Sequence, residues 1–292
     1  MIAINDGSKD NSLEILKKYN DLYPESITIY SRENQGVANS RNFAIDKCKT
    51  PYLTFLDQDD YLDVEFCEKM LYRIKEDKAD IVYCSYVRPN ENGKIVARYM
   101  IKNSDMSKLH SFNCWAKIHK TDFVKDSKAR FMPIVVGEDA IFSLMEHNSN
   151  PKISIMEDYI GYFWFQNTNS VSNTTQKGIN KEQLDNLETF FESIYETKKD
   201  KDSYLFQYFY IKNIVANIMR TNNEKSIKGL IKVNKIGNYF FSDMEKKFPD
   251  IYKNKLLYKV NEDDNLLMKS LVYYFILNRK LFKLFRIKDN TV

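Results

Sequence analysis

Histidine is scarce in this chain: the three, His110, His119 and His147, include no pair at the spacing of zinc ligands. Cysteine is scarce too, and Cys48, Cys67, Cys84 and Cys114 form no Cys-x-x-Cys pair. Three of them lie inside apolar-periodic segments. The expectation is small buried thiols in a reducing compartment, with no disulfide framework. No apolar run reaches the roughly 18 residues that a membrane span requires, so none is expected. No signal peptide opens the chain; an apolar run leads straight to an acidic turn, which points to a cytoplasmic protein. The net charge is only +4, so no global field calls for nucleic acid. What is present is ordinary for a globular protein: 43% hydrophobic and 29% charged residues, with aromatics spread throughout, over a length of 292 residues. That excludes whole-chain disorder and allows one core domain with an appendage.

The first hundred or so residues alternate short apolar runs with helical patterns. Residues 2–4 read as a strand ending in Asn5-Asp6-Gly7-Ser8, and a helix with Leu13, Leu16 and Tyr19 on one face follows, capped among Ser8, Asp10 and Asn11. Residues 27–30 read as a strand, 37–47 as a helix, and 52–56 as a strand ending in Asp57-Gln58-Asp59-Asp60. A further helix from about Val64 carries Val64, Cys67, Leu71 and Ile74 on one face, and residues 81–87 read as a strand. This alternation predicts an α/β fold with a mixed, mainly parallel sheet flanked by helices. Asn90-Glu91-Asn92-Gly93 reads as a hairpin turn, and residues 153–165 as an aromatic strand. From about residue 180 the pattern is helical to the end. The expected division is an α/β domain over 1–178 and a helical region over 179–292.

Ligands of open parallel sheets bind beyond the carboxyl ends of strands. Asp6 and the Asp57–Asp60 cluster stand at such ends and would share one crevice if their strands are parallel neighbours. Carboxylates crowded at a strand end repel one another, and a divalent cation relieves this. The bland alternative is a solvated turn with Asp57 or Asp59 capping the next helix. Gly137-Glu138-Asp139 precedes an apolar helix. Its acids read either as complements to the helix dipole or as a general base. Arg41, after Gln35-Gly36-Val37-Ala38, reads as a phosphate ligand or as a surface ion-pair residue.

The order of these pieces carries more than any one of them. Asn5-Asp6-Gly7-Ser8, then the stretch from Asn34 to Asn42, then Tyr52 to Asp60, then Gly137-Glu138-Asp139 resembles the family 2 glycosyltransferases of the GT-A fold, over residues 1 to about 175. The resemblance implies that Asp6 contacts the nucleobase, that Arg41 lies beside the nucleotide, and that Asp57-Gln58-Asp59 is the DxD motif. Asp59 would then bind Mn²⁺ or Mg²⁺, and Asp57 would hold the ribose or the metal's waters. Asp60 is a helper without an assigned role. Asp139 matches the catalytic base, with Glu138 beside it. Ser170 matches a segment near the diphosphate. Trp115 and Lys117 match a stretch lining the acceptor side, and read equally as core and rim packing. The resemblance further implies that the family's first strand–helix unit is missing here.

On this basis the expected activity is an inverting transfer of a sugar from a nucleotide-sugar, UDP-linked by family frequency, to a glycan or lipid-linked hydroxyl in surface polysaccharide synthesis. The alternative is a non-catalytic truncated remnant or partner subunit. A nucleotidyltransferase would want a Gly-rich basic loop after its first strand, and none is visible. Residues 265–288 hold six Lys/Arg and no acid, interleaved with Tyr, Phe and Leu. That composition suggests peripheral contact with an anionic membrane, at its inner face, or a helix packed on the protein with a solvated basic side.

Overall fold

The computed structural model describes residues 1–165, 180–221, 226–259 and 266–284. They form two compact units. The first comprises residues 1–101 and 112–165. The second joins residues 102–111 to the described residues from 180 onward.

The first unit holds eight strands among the described residues: β1 (Ile2–Asp6), β2 (Thr28–Arg32), β3 (Tyr52–Leu53), β4 (Tyr61–Leu62), β5 (Ile81–Pro89), β6 (Ile95–Tyr99), β7 (Lys117–Lys120) and β8 (Ile153–Phe163). Its helices are α1 (Ser12–Leu22), α2 (Val37–Lys47), α3 (Phe66–Glu76), α5 (Thr121–Asp126) and α6 (Glu138–His147). A further helix, α4 (Asp105–His110), belongs to the second unit.

β5 is the spine. It is buried over nearly its whole length, as expected of a strand covered on both faces. β8 runs parallel to it along one edge, while β7 and β6 pair antiparallel with the first and second parts of β5. The sheet order is β3-β7-β5-β8-β4, and β1 and β2 form a separate parallel pair. The mixed α/β class is as expected. The pairings are more antiparallel than the alternation suggests, because β6 returns through the hairpin and β7, β3 and β4 all pair antiparallel. The hairpin turn forms where expected: Gly93 takes positive φ, and Asn90 Oδ1 accepts from the N–H groups of Asn92 and Lys94. β1 and β3 are not hydrogen-bonded neighbours, so Asp6 and Asp57 do not stand at the ends of adjacent strands.

Two helices differ from the sequence pattern. Asp63 receives the N–H groups of Glu65 (on Oδ1) and Phe66 (on its carbonyl), so α3 starts at Phe66. Phe66, Met70 and Ile74 then form the buried face, while Val64 is 97% exposed and Cys67 is exposed. α1 forms as expected but buries no residue: Ile15, Tyr19 and Leu22 are exposed. The four cysteines are free, three of them buried as expected. The core between sheet and helices includes Phe55, Met70, Ile74, Val82, Ile118 and Phe142. Phe131 stacks on Phe142 with centroids 4.2 Å apart.

The second unit is helical, as the sequence pattern predicts: α4 joins α7 (Lys181–Thr197), α8 (Tyr204–Thr221), α9 (Ile227–Lys247) and α10 (Leu266–Leu284). A capping box starts α7, with Asn180 Oδ1 accepting from the Gln183 N–H and Gln183 Oε1 from the Asn180 N–H. α8 is the core element, burying Phe206, Tyr208, Phe209, Tyr210, Ile211, Ile214, Val215 and Ile218. Among the described residues no helix is long and apolar enough to cross a membrane.

Candidate active site

β1 delivers Asn5 and Asp6 to a turn at Gly7. That turn needs glycine twice over: φ is +75°, and a Cβ would lie 2.8 Å from the Asn34 backbone nitrogen. The close approach brings the following loop onto Asp6, whose Oδ1 accepts from Arg32 Nε at 3.2 Å and from the Gln35 N–H at 3.1 Å. Arg32 in turn donates to Ser40 on α2 and lies over the Phe43 ring.

Arg41, also on α2, is the hub. Its guanidinium donates to Asp57 Oδ1 at 2.6 Å, Asp139 Oδ1 at 2.6 Å and Glu138 Oε1 at 3.1 Å, and lies 5.1 Å over the Phe131 ring. Its side chain is only 11% exposed. Burial opposes a charged guanidinium, but Asp139 and Asp57 together outweigh it and hold Arg41 firmly protonated. The acids feel the reverse. Burial raises Asp57, with Arg41 opposing the rise and Asp139 adding to it. Burial, with Asp139 next to it, pushes the Glu138 carboxyl up to about 7. Cys114, wholly buried, hydrogen-bonds Asp139 from the loop before β7.

The two acid motifs, far apart in the chain, thus meet on one cation. Gly137 makes this possible at the α6 end, taking a left-handed conformation that turns the chain into the helix with Glu138 and Asp139 in its first turn.

Asp60, for which the sequence alone offers no role, has one in the fold. Tyr162 Oη donates to its Oδ2 at 2.6 Å and the Phe165 N–H to its Oδ1 at 2.8 Å, so it ties the acidic turn to the end of β8. Burial pushes its carboxyl up to about 6. Asp59 sits partly buried in the same turn. Two expectations need correction. Trp115 is buried, stacked on Tyr162 at 4.6 Å and edge-on to Tyr86 at 4.8 Å. Lys117 is wholly buried, its ammonium 3.4 Å from Ser143 Oγ and over the Tyr83 ring. Of the two readings open for these residues, packing is the one the fold adopts; neither presents a face to an acceptor. Burial lowers the Lys117 ammonium to about 8, with Glu146 opposing. Ser170 lies outside the described residues. Tyr162, Cys114 and Phe131 shape the site without any signal in the sequence that would mark them.

An α/β sheet flanked by helices, with acids gathered from strand-end turns and a helix start, is the architecture of the GT-A glycosyltransferases. The solved structures agree. Staphylococcus aureus TarS residues 1–349, crystallised with UDP-GlcNAc, superposes with a TM-score of 0.55 at 19% identity, covering 95% of this chain and 71% of that one. A mannosyltransferase from Pyrobaculum calidifontis, in complex with GDP-Man and Mn²⁺, gives 0.50 at 9% identity over 97% and 78%. By sequence, residues 1–135 match the model of glycosyl transferase family 2, and the chain is similar to that family over that stretch. The poly(ribitol-phosphate) beta-glucosyltransferase of Bacillus spizizenii is 29% identical over 169 residues, 56% of this chain and 27% of that protein. The chain spans between 10% and 54% of the length of the curated relatives it matches.

Proposed function

We propose that the chain is an inverting glycosyltransferase of the hexosyltransferase type. It moves a sugar from a nucleotide-sugar, UDP-linked by preference, to a hydroxyl of a glycan or lipid-linked acceptor in surface polysaccharide synthesis. The observation that carries this reading is the Arg41 hub. One guanidinium binds both Asp57, of the Asp-Gln-Asp turn, and Asp139, of the Gly-Glu-Asp turn, each at 2.6 Å. The groups needed on the donor side and the acceptor side are therefore neighbours. The relatives named above, with UDP-GlcNAc in one structure and GDP-Man in another, support a nucleotide-sugar donor.

In this reading Asp139 takes the proton from the acceptor hydroxyl. The hydroxyl oxygen attacks the anomeric carbon of the donor, the bond to the diphosphate breaks, and its electron pair leaves with the nucleoside diphosphate. A single displacement inverts the centre. Arg41 holds Asp139 in place through a hydrogen bond from its guanidinium at 2.6 Å. Asp6, oriented by Arg32 and the Gln35 N–H, meets the nucleobase, and Asp57 meets the ribose. Asp59 would hold Mn²⁺ or Mg²⁺. The donor chemistry fits: a carboxylate oxygen is a hard ligand, and such a cation takes one or two carboxylates from the protein and the rest from phosphate and water. When bound it neutralises charge on the departing diphosphate. The protein would work on the cytoplasmic side, at the inner face of the membrane where lipid-linked acceptors lie.

Calorimetric titration of UDP with and without Mn²⁺, paired with a transfer assay, tests the reading. Metal-dependent binding that disappears in Asp59→Ala is expected, and Asp139→Asn should bind UDP yet fail to transfer. Full transfer by Asp139→Asn would overturn the base assignment. UDP binding that ignores both metal and Asp59 removes the metal site. Absence of UDP binding under every condition favours a non-catalytic partner subunit.

A further inference from the structure

In the second unit α9 and α10 pack closely. A Cβ on Gly237 would lie 2.6 Å from the Phe275 ring, and Asn234 Oδ1 accepts from both Tyr274 Oη and Asn278 Nδ2 at 3.1 Å. This contact, with the rest of the helical core, buries Val272, Phe275, Ile276 and Arg279 of α10. A helix that has buried one apolar stripe ordinarily turns a polar face to water. α10 does not. Its opposite arc carries Leu266, Ser270, Tyr273, Tyr274, Leu277, Lys280 and Leu281 at helical spacing. The five apolar or aromatic residues that follow one another there, Leu266, Tyr273, Tyr274, Leu277 and Leu281, are between 40% and 69% exposed.

Among the described residues, the exposed charges of α10 and of α9 before Asp243 are of one sign. α10 contains no acid, and α9 has none before Asp243, while Lys232, Lys235 and Lys280 are exposed. The other described basic residues of α10 turn inward. Lys269 bonds Tyr208 Oη and the Leu256 carbonyl, and Arg279 pairs with Glu245 at 3.2 Å. Sorting the basic residues in this way leaves an outer face of Leu and Tyr with Lys280, whose ammonium donates to Tyr258 Oη at 3.3 Å, at its edge, and the exposed Lys232 and Lys235 on the neighbouring helix. Apolar side chains that enter the acyl boundary, tyrosines that sit at headgroup depth, and lysines that meet anionic phosphate are the chemistry of a helix lying in a membrane interface. The length and hydropathy of α10 rule out a span among the described residues, so the helix would lie on the bilayer rather than cross it.

We propose that the outer arc of α10, from Leu266 to Leu281 with Lys280 and the α9 lysines beside it, docks on a bilayer surface bearing anionic headgroups. The inference deepens the proposed lipid-linked acceptor, but its test needs neither nucleotide nor transfer and so stands apart from the role of Asp139. The test is flotation of the full chain with phosphatidylcholine vesicles, with and without phosphatidylglycerol, at low and high salt. The chain floats with the anionic vesicles and is released by salt. The double substitution Leu277→Asp, Leu281→Asp lowers the bound fraction about tenfold or more. Lys280→Glu lowers it several-fold, and Ser270→Leu, which completes the apolar arc, raises it. UDP binding is unchanged in all of these variants. No flotation with either vesicle, or equal flotation of wild type and the double variant, overturns the proposal. A concentration-dependent dimer that the double variant abolishes, without flotation, assigns the face to a second copy instead.

Discussion

The carboxyl pair at the start of α6 makes stability depend on pH in a direction opposite to that of ordinary salt-bridged acids. Glu138 moves from 4.5 to about 7 on folding, because burial and its neighbour Asp139 disfavour the second negative charge more than Arg41 favours it. Below pH 4.5 the carboxyl is protonated in both states and costs nothing. As pH rises from 4.5 to about 7 the unfolded chain releases a proton that the folded chain retains, and stability falls. Each tenfold difference in proton affinity between the two states is worth about 1.4 kcal/mol, so the loss is complete above pH 7 and amounts to about 3 kcal/mol. Asp60, raised to about 6 by burial, adds a smaller loss of the same sign. Fluorescence reports the right unit: the chain has two tryptophans, Trp115 and Trp164, and both lie in the first unit. Urea unfolding followed by tryptophan fluorescence, from about pH 5 to about pH 8, should show a falling free energy of unfolding. In Glu138→Gln the fall should flatten by about 2–3 kcal/mol, because the amide does not ionise. Exposed acids such as Asp10 and Asp77, whose carboxyls are lowered, act in both proteins alike and cancel in the comparison. An identical pH slope in wild type and Glu138→Gln would refute the reasoning.

Two further outcomes follow from the same unit. His119 and Glu146 form a wholly buried hydrogen-bonded pair at 2.8 Å that ties β7 to α6, so His119→Ala, which removes the partner of Glu146 Oε1, should cost about 1–3 kcal/mol in the same urea assay. Gly161 faces Phe66, Tyr159 and Cys84, with a Cβ 2.8–2.9 Å from each. Gly161→Ala should lower stability by about 1–3 kcal/mol through overpacking, and an unchanged urea midpoint would show that β8 can shift outward at no cost.

Local signals in the sequence are reliable where one short stretch decides the outcome. α2 spans residues 37–47 as its pattern indicates, the β5–β6 hairpin turns at Asn90–Gly93, and β8 occupies most of the aromatic run. They fail where a distant partner decides. Tyr52 to Leu56 reads as a five-residue strand, yet only Tyr52 and Leu53 find a ladder partner, on β7, and Thr54 instead donates its hydroxyl to the Lys117 carbonyl. Val64 is apolar and fits a helical face, but the Asp63 turn begins the helix later, and the larger Phe66 takes the inward position. Lys117 reads equally as core and rim packing, and composition cannot decide because lysine is almost never buried without a partner. Its surroundings, Tyr83 on β5 with Ser143 and Glu146 on α6, come from elements that nothing in its own neighbourhood announces.

The same distinction runs through the site. The motifs are local, and the fold brings Asp57 and Asp139 from two of them onto Arg41 of a third. The electrostatic state of that set is not local. Two acids, Asp57 and Asp139, would each be costly to bury as bare charges. Arg41 meets both, and Glu138 absorbs the remaining strain by holding its proton up to about pH 7. In the proposed reading, a nucleoside diphosphate entering next to Arg41 brings more negative charge to a guanidinium already shared by three acidic side chains. Either Arg41 turns from the acids to the phosphate, or a cation must come with the diphosphate. In both cases the charge balance around Asp139 changes when the donor binds. In the proposed reading the base is therefore held at rest by an internal cation whose balance the donor alters, a coupling that lies in the ion-pair geometry and in no single motif of the sequence.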